Sequence, residues 1–458
     1  MILFVQLFRL NSYWREFSLT AAFSPDILIQ KGDTKVKEIT TQSTGAATKL
    51  TTSIIIKRSI FALLFATQLL FVNIIAQAQT YQIINTQNSV VGGDLSKTVT
   101  TIQEGNNSLN RFLMTEVSKP LPDHAIRGAV LLMPPLGSGF QNYEVGESGD
   151  YNNSFVAFFA RRNFAVFGYS TRVHGLTAGS CESGVIDCSP MANWGLQTVV
   201  DDATFIREQI ALKYPGLKIV VGGLSMGSVA AQALLSAHPN DYAGAILIEG
   251  TIHDTDANVR AINANFCASF EAMLAGGVYY DGQSGPAVKV LSQLAQIAPN
   301  APTMFPGFPP GITNHQAFVL ALSAPPVSPL APRPGYFNLA GNFIEDRFFF
   351  ANEQLLHDNL AGFNDYTPIL AIRDLNCGLA GETAFTNNLG SFAGPVIMFS
   401  AGHGFGSAMF DTAQLMSSAD VSIHSRADYG HVDYMFSTNH LHELEHPIFN
   451  WLLQKPFK

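Results

Sequence analysis

The order of apolar and polar positions changes character several times along the chain. Short alternating runs at 98–103 and 111–117 predict an antiparallel hairpin. A regular rhythm follows. Gly128–Met133 (GAVLLM), 164–169 (FAVFGY) and Gly244–Ile248 (GAILI) are continuous apolar runs, and 217–221 (LKIVV) is apolar but for Lys218, the pattern of strands buried on both faces. Between them, 151–162 has helical spacing and 197–213 is amphipathic, with Asp201, Asp202, Arg207 and Glu208 on a polar side and Tyr214-Pro215-Gly216 as its stop. Met226–Ala237 is a third helix, built of small residues. This alternation predicts an α/β fold with a mostly parallel sheet covered by helices on both faces. Over 251–393 the rhythm gives way to a stretch rich in Pro, Gly, Ala and Phe, with helical patches at 259–275 and 347–360. It resumes with strands at 396–400 and near 421–424 and a closing helix near 448–453. The expected organisation is a core in two parts, 79–250 and 394–458, interrupted by a mainly helical cap insertion, 251–393.

Composition narrows the partners. The 458 residues carry a net charge of −9 with only 13% charged positions, so there is no positive field for nucleic acid. One stretch approaches spanning length. Lys57-Arg58 precede an apolar run at 59–75, and Ala76-Gln77-Ala78 follows. That is the layout of a secretory signal cleaved after Ala78, which leaves no stable membrane span and an exported, periplasmic or secreted protein. Residues 1–78 are thus read as an N-terminal extension and signal, with translation expected to start near Leu50. All four cysteines lie beyond the cut. An even count in an exported chain predicts disulfides. Cys181 and Cys188 bracket a short Gly-containing loop and form the expected pair, which leaves Cys267 with Cys377.

The chemistry centres on Gly223-Leu224-Ser225-Met226-Gly227. A buried strand runs into this G-x-S-x-G pentapeptide and a helix of small residues leaves it. A sharp strand-to-helix turn of that kind lifts the serine above the sheet edge and needs small neighbours for close backbone approach. Here the chain resembles the α/β-hydrolase superfamily, over roughly 127–257 and 394–453. The resemblance implies a serine nucleophile followed in the chain by an acid and then a histidine, with the insertion in the place of a cap or lid. It makes Ser225 the nucleophile and His431, in Tyr429-Gly-His-Val-Asp433, the general base. The acid departs from the common pattern. Most of the superfamily places an Asp just after the seventh strand, but that loop here has no carboxylate before Asp411. A minority uses the end of the sixth strand, where Glu249 stands. Glu249 is preferred and Asp411 is the alternative, while Asp428 and Asp433 are read as loop-organising residues. The oxyanion donors implied are the N–H groups of Met226 and Leu136; Pro134 and Pro135 have none to offer. Arg172-Val-His174-Gly resembles a loop-supporting segment of the same superfamily.

Two other features carry alternative readings. His442-Glu443-Leu444-Glu445-His446 matches the zinc-helix pattern H-E-x-x-H. Pro447 follows at once and biases His446 away from helical geometry, so the segment is read as a polar lead-in to the last helix. Phe348, Phe349 and Phe350 are either cap core or the lining of an acyl pocket. The resulting expectation is an exported serine hydrolase acting on a small-molecule carboxylic ester, with a hydrophobic substrate compatible with the apolar insertion. No metal or organic cofactor is required. Amide or peptide hydrolysis by the same residues, and a non-catalytic binding protein on the same fold, are the alternatives.

Overall fold

The structure is a computed structural model that describes residues 81–323, 341–342, 347–416 and 419–457; the N-terminal extension and signal lie outside them. Nine strands form one sheet: β1 (Tyr81–Val91), β2 (Leu95–Glu104), β3 (Arg111–Ser118), β4 (Gly128–Met133), β5 (Phe164–Ser170), β6 (Ile219–Leu224), β7 (Gly244–Ile248), β8 (Val396–His403) and β9 (Val421–Gly430). Their spatial order is β1-β2-β3-β5-β4-β6-β7-β8-β9. The pairs up to β3–β5 are antiparallel, and every pair from β5–β4 to β8–β9 is parallel. The chain reverses its direction of travel across the sheet at β4, which opens a crevice at the carboxyl ends of the strands.

Alternate residues of the central strands divide the core between the two faces. Val130, Leu132, Val220 and Ile246 pack with α1 (Phe155–Ala160) and with the last helix, His446–Gln454. Ala129, Leu131, Val221 and Leu247 pack with α2 (Leu196–Lys213) and α3 (Met226–Ala237). Truncating a fully buried side chain such as Leu131 to Ala costs about 2–5 kcal/mol, so this double-sided core holds the strand ends in place.

Between β7 and β8 lie α4 (Ala257–Ala275), α5 (Ser284–Ile297), α6 (Asn314–Ser323), α7 (Glu353–Ala361) and α8 (Ile369–Ala380). The core closes with α9 (Ser407–Leu415), α10 (Asp433–Phe436) and α11 (His446–Gln454). Among the described residues no helix is long and apolar enough to cross a membrane. Two disulfides are present. Cys181–Cys188 closes a surface loop, and Cys267–Cys377 joins α4 to α8 across 110 residues.

Two expectations need correction. Helix over 347–360 is replaced by a two-residue strand at Arg347–Phe348 and the shorter α7, whose start is fixed by Asn352 accepting the Leu355 N–H. His446 is helical (φ −64°, ψ −45°) despite preceding Pro447, because a proline in the first turn of a helix lacks only an N–H that would be unpaired anyway. The three phenylalanines separate: Phe348 is buried against Phe318, Phe350 packs on Tyr429, and Phe349 is exposed.

Candidate active site

The turn between β6 and α3 sets Ser225 at φ 57°, ψ −121°, a conformation that costs a non-glycine residue roughly 1–3 kcal/mol. Its surroundings hold it there. The Ser225 N–H donates to the Ile248 carbonyl at 2.9 Å, and the Ser225 carbonyl accepts the N–H groups of Ser228 (2.9 Å) and Val229 (3.1 Å). The two glycines of the motif have a steric reason. A Cβ on either Gly223 or Gly227 would collide with the Met133 carbonyl oxygen, and one on Gly250 with that of Ser225.

Glu249 follows β7 directly, also at positive φ (43°). It is fully buried, and three donors compensate the desolvation of its carboxylate. Oε1 accepts the Ala401 N–H at 2.6 Å and Oε2 the Phe405 N–H at 2.8 Å. The third contact, 3.1 Å from Oε2, is His431 Nδ1. The loop after β8, where a carboxylate is missing, therefore supplies backbone N–H groups instead. Gly404 makes the room, since a Cβ there would overlap Glu249 Oε2.

His431 leaves the end of β9 and is buried beside the Phe405 ring. Its Nε2 lies 2.9 Å from Ser225 Oγ. A carboxylate on Nδ1 and a hydroxyl on Nε2 fix the imidazole with Nδ1–H toward Glu249 and a lone pair toward Ser225, the arrangement in which the ring can take the hydroxyl proton. Asp411 is elsewhere: it sits on α9 and accepts the N–H (3.1 Å) and hydroxyl (2.7 Å) of Thr255. Asp428 is exposed and paired with Arg426, whose guanidinium holds its carboxyl below the usual range. Asp433 is buried and accepts the Gly430 N–H at 2.7 Å.

Leu136 and Met226 lie on the two segments that flank Ser225. Among the described residues neither N–H meets a backbone acceptor. The loop carrying Leu136 is held from two sides. Tyr143, fully buried, donates its hydroxyl to the Met133 carbonyl (2.7 Å) and accepts the Leu224 N–H (2.8 Å), tying that loop to the residue before Ser225. From the insertion, the Asn364 N–H donates to Gly137 O (2.7 Å) and its side chain to Ser138 O (3.2 Å). A cavity of about 60 Å³ borders the same loop, lined in part by Leu136, Met226, Trp194, Val199 and Tyr366.

Tyr143 carries no sequence signal, being one tyrosine in an irregular loop. The Ala401 and Phe405 donors had one, the glycines at 402, 404 and 406. Arg172 pairs with the buried Asp202 and with Glu104. In the H-E-x-x-H segment, Glu443 contacts Arg426 and Tyr429 while His440 pairs with Glu445.

A mostly parallel sheet with a strained serine at the turn between β6 and α3 is the arrangement of the α/β-hydrolase fold. The family described as "Serine aminopeptidase, S33" matches residues 145–283, and no curated protein matches the chain. Among solved structures, a lipase-like protein from Sulfolobus solfataricus superposes with a TM-score of 0.58 at 20% identity, over 82% of this chain and 99% of its own. A carboxyl esterase from Bacillus coagulans gives 0.44 at 15% identity, over 83% of this chain and 100% of its own. The chain has the α/β-hydrolase fold, and the family match covers residues 145–283 of it.

Proposed function

We propose that this hydrolase cleaves carboxylic esters through Ser225, His431 and Glu249. The observation that carries the proposal is the continuous contact from Ser225 Oγ to His431 Nε2 (2.9 Å) and from His431 Nδ1 to Glu249 (3.1 Å). Ser225 attacks the carbonyl carbon as His431 takes its proton, and Glu249 stabilises the resulting imidazolium. The carbonyl oxygen becomes an oxyanion bound by the N–H groups of Leu136 and Met226. His431 returns its proton to the departing alcohol, leaving an acyl-Ser225 ester. Water, deprotonated by the same imidazole, then releases the acid.

The match to a serine aminopeptidase family favours one second reading, hydrolysis of amides by the same residues. Paired p-nitrophenyl esters and p-nitroanilides of equal acyl length separate them. Turnover of esters with anilides at least about 100-fold slower in kcat/KM supports ester hydrolysis; anilides turned over as fast overturn it.

Export is proposed as well. The basic-apolar-AxA layout at 57–78 and two disulfides support it. N-terminal sequencing of the exported protein should read Gln79-Thr80-Tyr81; a chain retaining residues 1–49 would contradict it.

A further inference from the structure

We infer that Asp433 is a positioning residue of the His431 loop that braces Gly430 and, in its neutral form, does so without adding a second negative charge to that loop. The inference rests on the Ser225–His431–Glu249 reading above. Asp433 and Gly430 enclose His431 in the chain, and the 2.7 Å bond from the Gly430 N–H to Asp433 Oδ2 closes that turn around the histidine. The side chain is fully buried. Its other oxygen, Oδ1, has no partner among the described residues. Glu249, equally buried, has three donors; Asp433 has one. An ionised carboxylate with a bare buried oxygen is costly, whereas the protonated form leaves only a neutral group unsatisfied.

The charged groups acting on Asp433 come from two neighbouring elements, Asp428 from β9 and Glu249 from the end of β7, and His431 stands in its own loop. Both carboxylates oppose a further negative charge. Burial pushes the Asp433 carboxyl up to about 7, against the opposing pull of the Gly430 N–H. When Asp433 does ionise, a second negative charge near His431 favours the imidazolium. Ser225 then meets the free-base imidazole that it needs less often.

The test is the rate of Ser225 labelling by a fluorophosphonate over roughly pH 5 to 9, measured for the wild type, Asp433→Asn and Asp433→Ala. Asp433→Asn keeps an oxygen for the Gly430 N–H and cannot ionise. Its rising limb is expected to move to lower pH by about half a unit, with at most a few-fold change at the plateau. Asp433→Ala loses the brace and is expected to label at least about ten-fold more slowly. A midpoint unmoved in Asp433→Asn overturns the inference, as does wild-type labelling in Asp433→Ala. Should Asp433→Ala fail to fold, the Asp433→Asn midpoint decides alone. A wild type that does not label at Ser225 at all is a different result, which overturns the underlying reading of the site.

Discussion

Two turns at the carboxyl end of the sheet each bury a carboxylate near His431, and they treat it in opposite ways. The turn after β7 aims Glu249 at backbone donors from the β8 loop and at the imidazole, so each oxygen has partners. The turn after β9 gives Asp433 one donor and leaves the second oxygen bare. Both carboxylates are buried, and they differ in how many donors reach them. One buried carboxylate thus contacts the imidazole directly, and the other braces the turn that carries it.

The largest break in this contrast comes from Glu249. Replacing it with Ala should lower kcat by about 10³–10⁴-fold, because the imidazole loses both its orientation and its counter-charge; steady-state kinetics on a p-nitrophenyl ester would show it. Tyr143→Phe removes the hydroxyl that joins the Met133 carbonyl to the Leu224 N–H without changing volume. It should cost roughly 10- to 100-fold in kcat with KM nearly unchanged, as expected for a donor array aimed only at the transition state.

Asp433→Asn sharpens the comparison through stability. The folded carboxyl titrates near 7 against an ordinary value of 3.8, so between those values the folded state binds the extra proton. The contribution of Asp433 to stability is therefore full below about pH 4 and is lost progressively as pH rises through 7. Asp433→Asn does not titrate, so its melting temperature relative to wild type should climb between pH 5 and pH 8, by a few degrees. The smallest effect belongs to Asp411. Asp411→Asn loosens a surface contact with Thr255 and should leave kcat/KM within about two-fold.

What the sequence made legible follows from burial pattern. β4, β6 and β7 are apolar at nearly every position because both faces are covered, and such runs announce themselves. The glycines of the elbow were legible for the same reason that they are needed: a carbonyl oxygen occupies the space of a side chain. Part of the helical content between β7 and β8 was legible, since the spacing at 259–275 is that of α4. α8 was not picked out; nine of its twelve residues are buried, Asp374 and Asn376 among them. Those two serve backbone groups, with Asp374 accepting the Leu196 N–H and Asn376 donating to Ile372 O. β1 fails in the opposite sense, since it is exposed along most of its length and shows no alternation. The acid was readable as a choice between Glu249 and Asp411, and only the packing of the β8 loop around Glu249 distinguishes them.

The most direct test of the Ser225–His431–Glu249 assignment is mass spectrometry of the protein after fluorophosphonate treatment, comparing wild type, Glu249→Gln and Asp411→Asn. The account predicts one adduct, on Ser225, formed at similar rates in wild type and Asp411→Asn and about 10³-fold or more slowly in Glu249→Gln. An adduct on another residue, or Glu249→Gln labelling as fast as wild type, would contradict it.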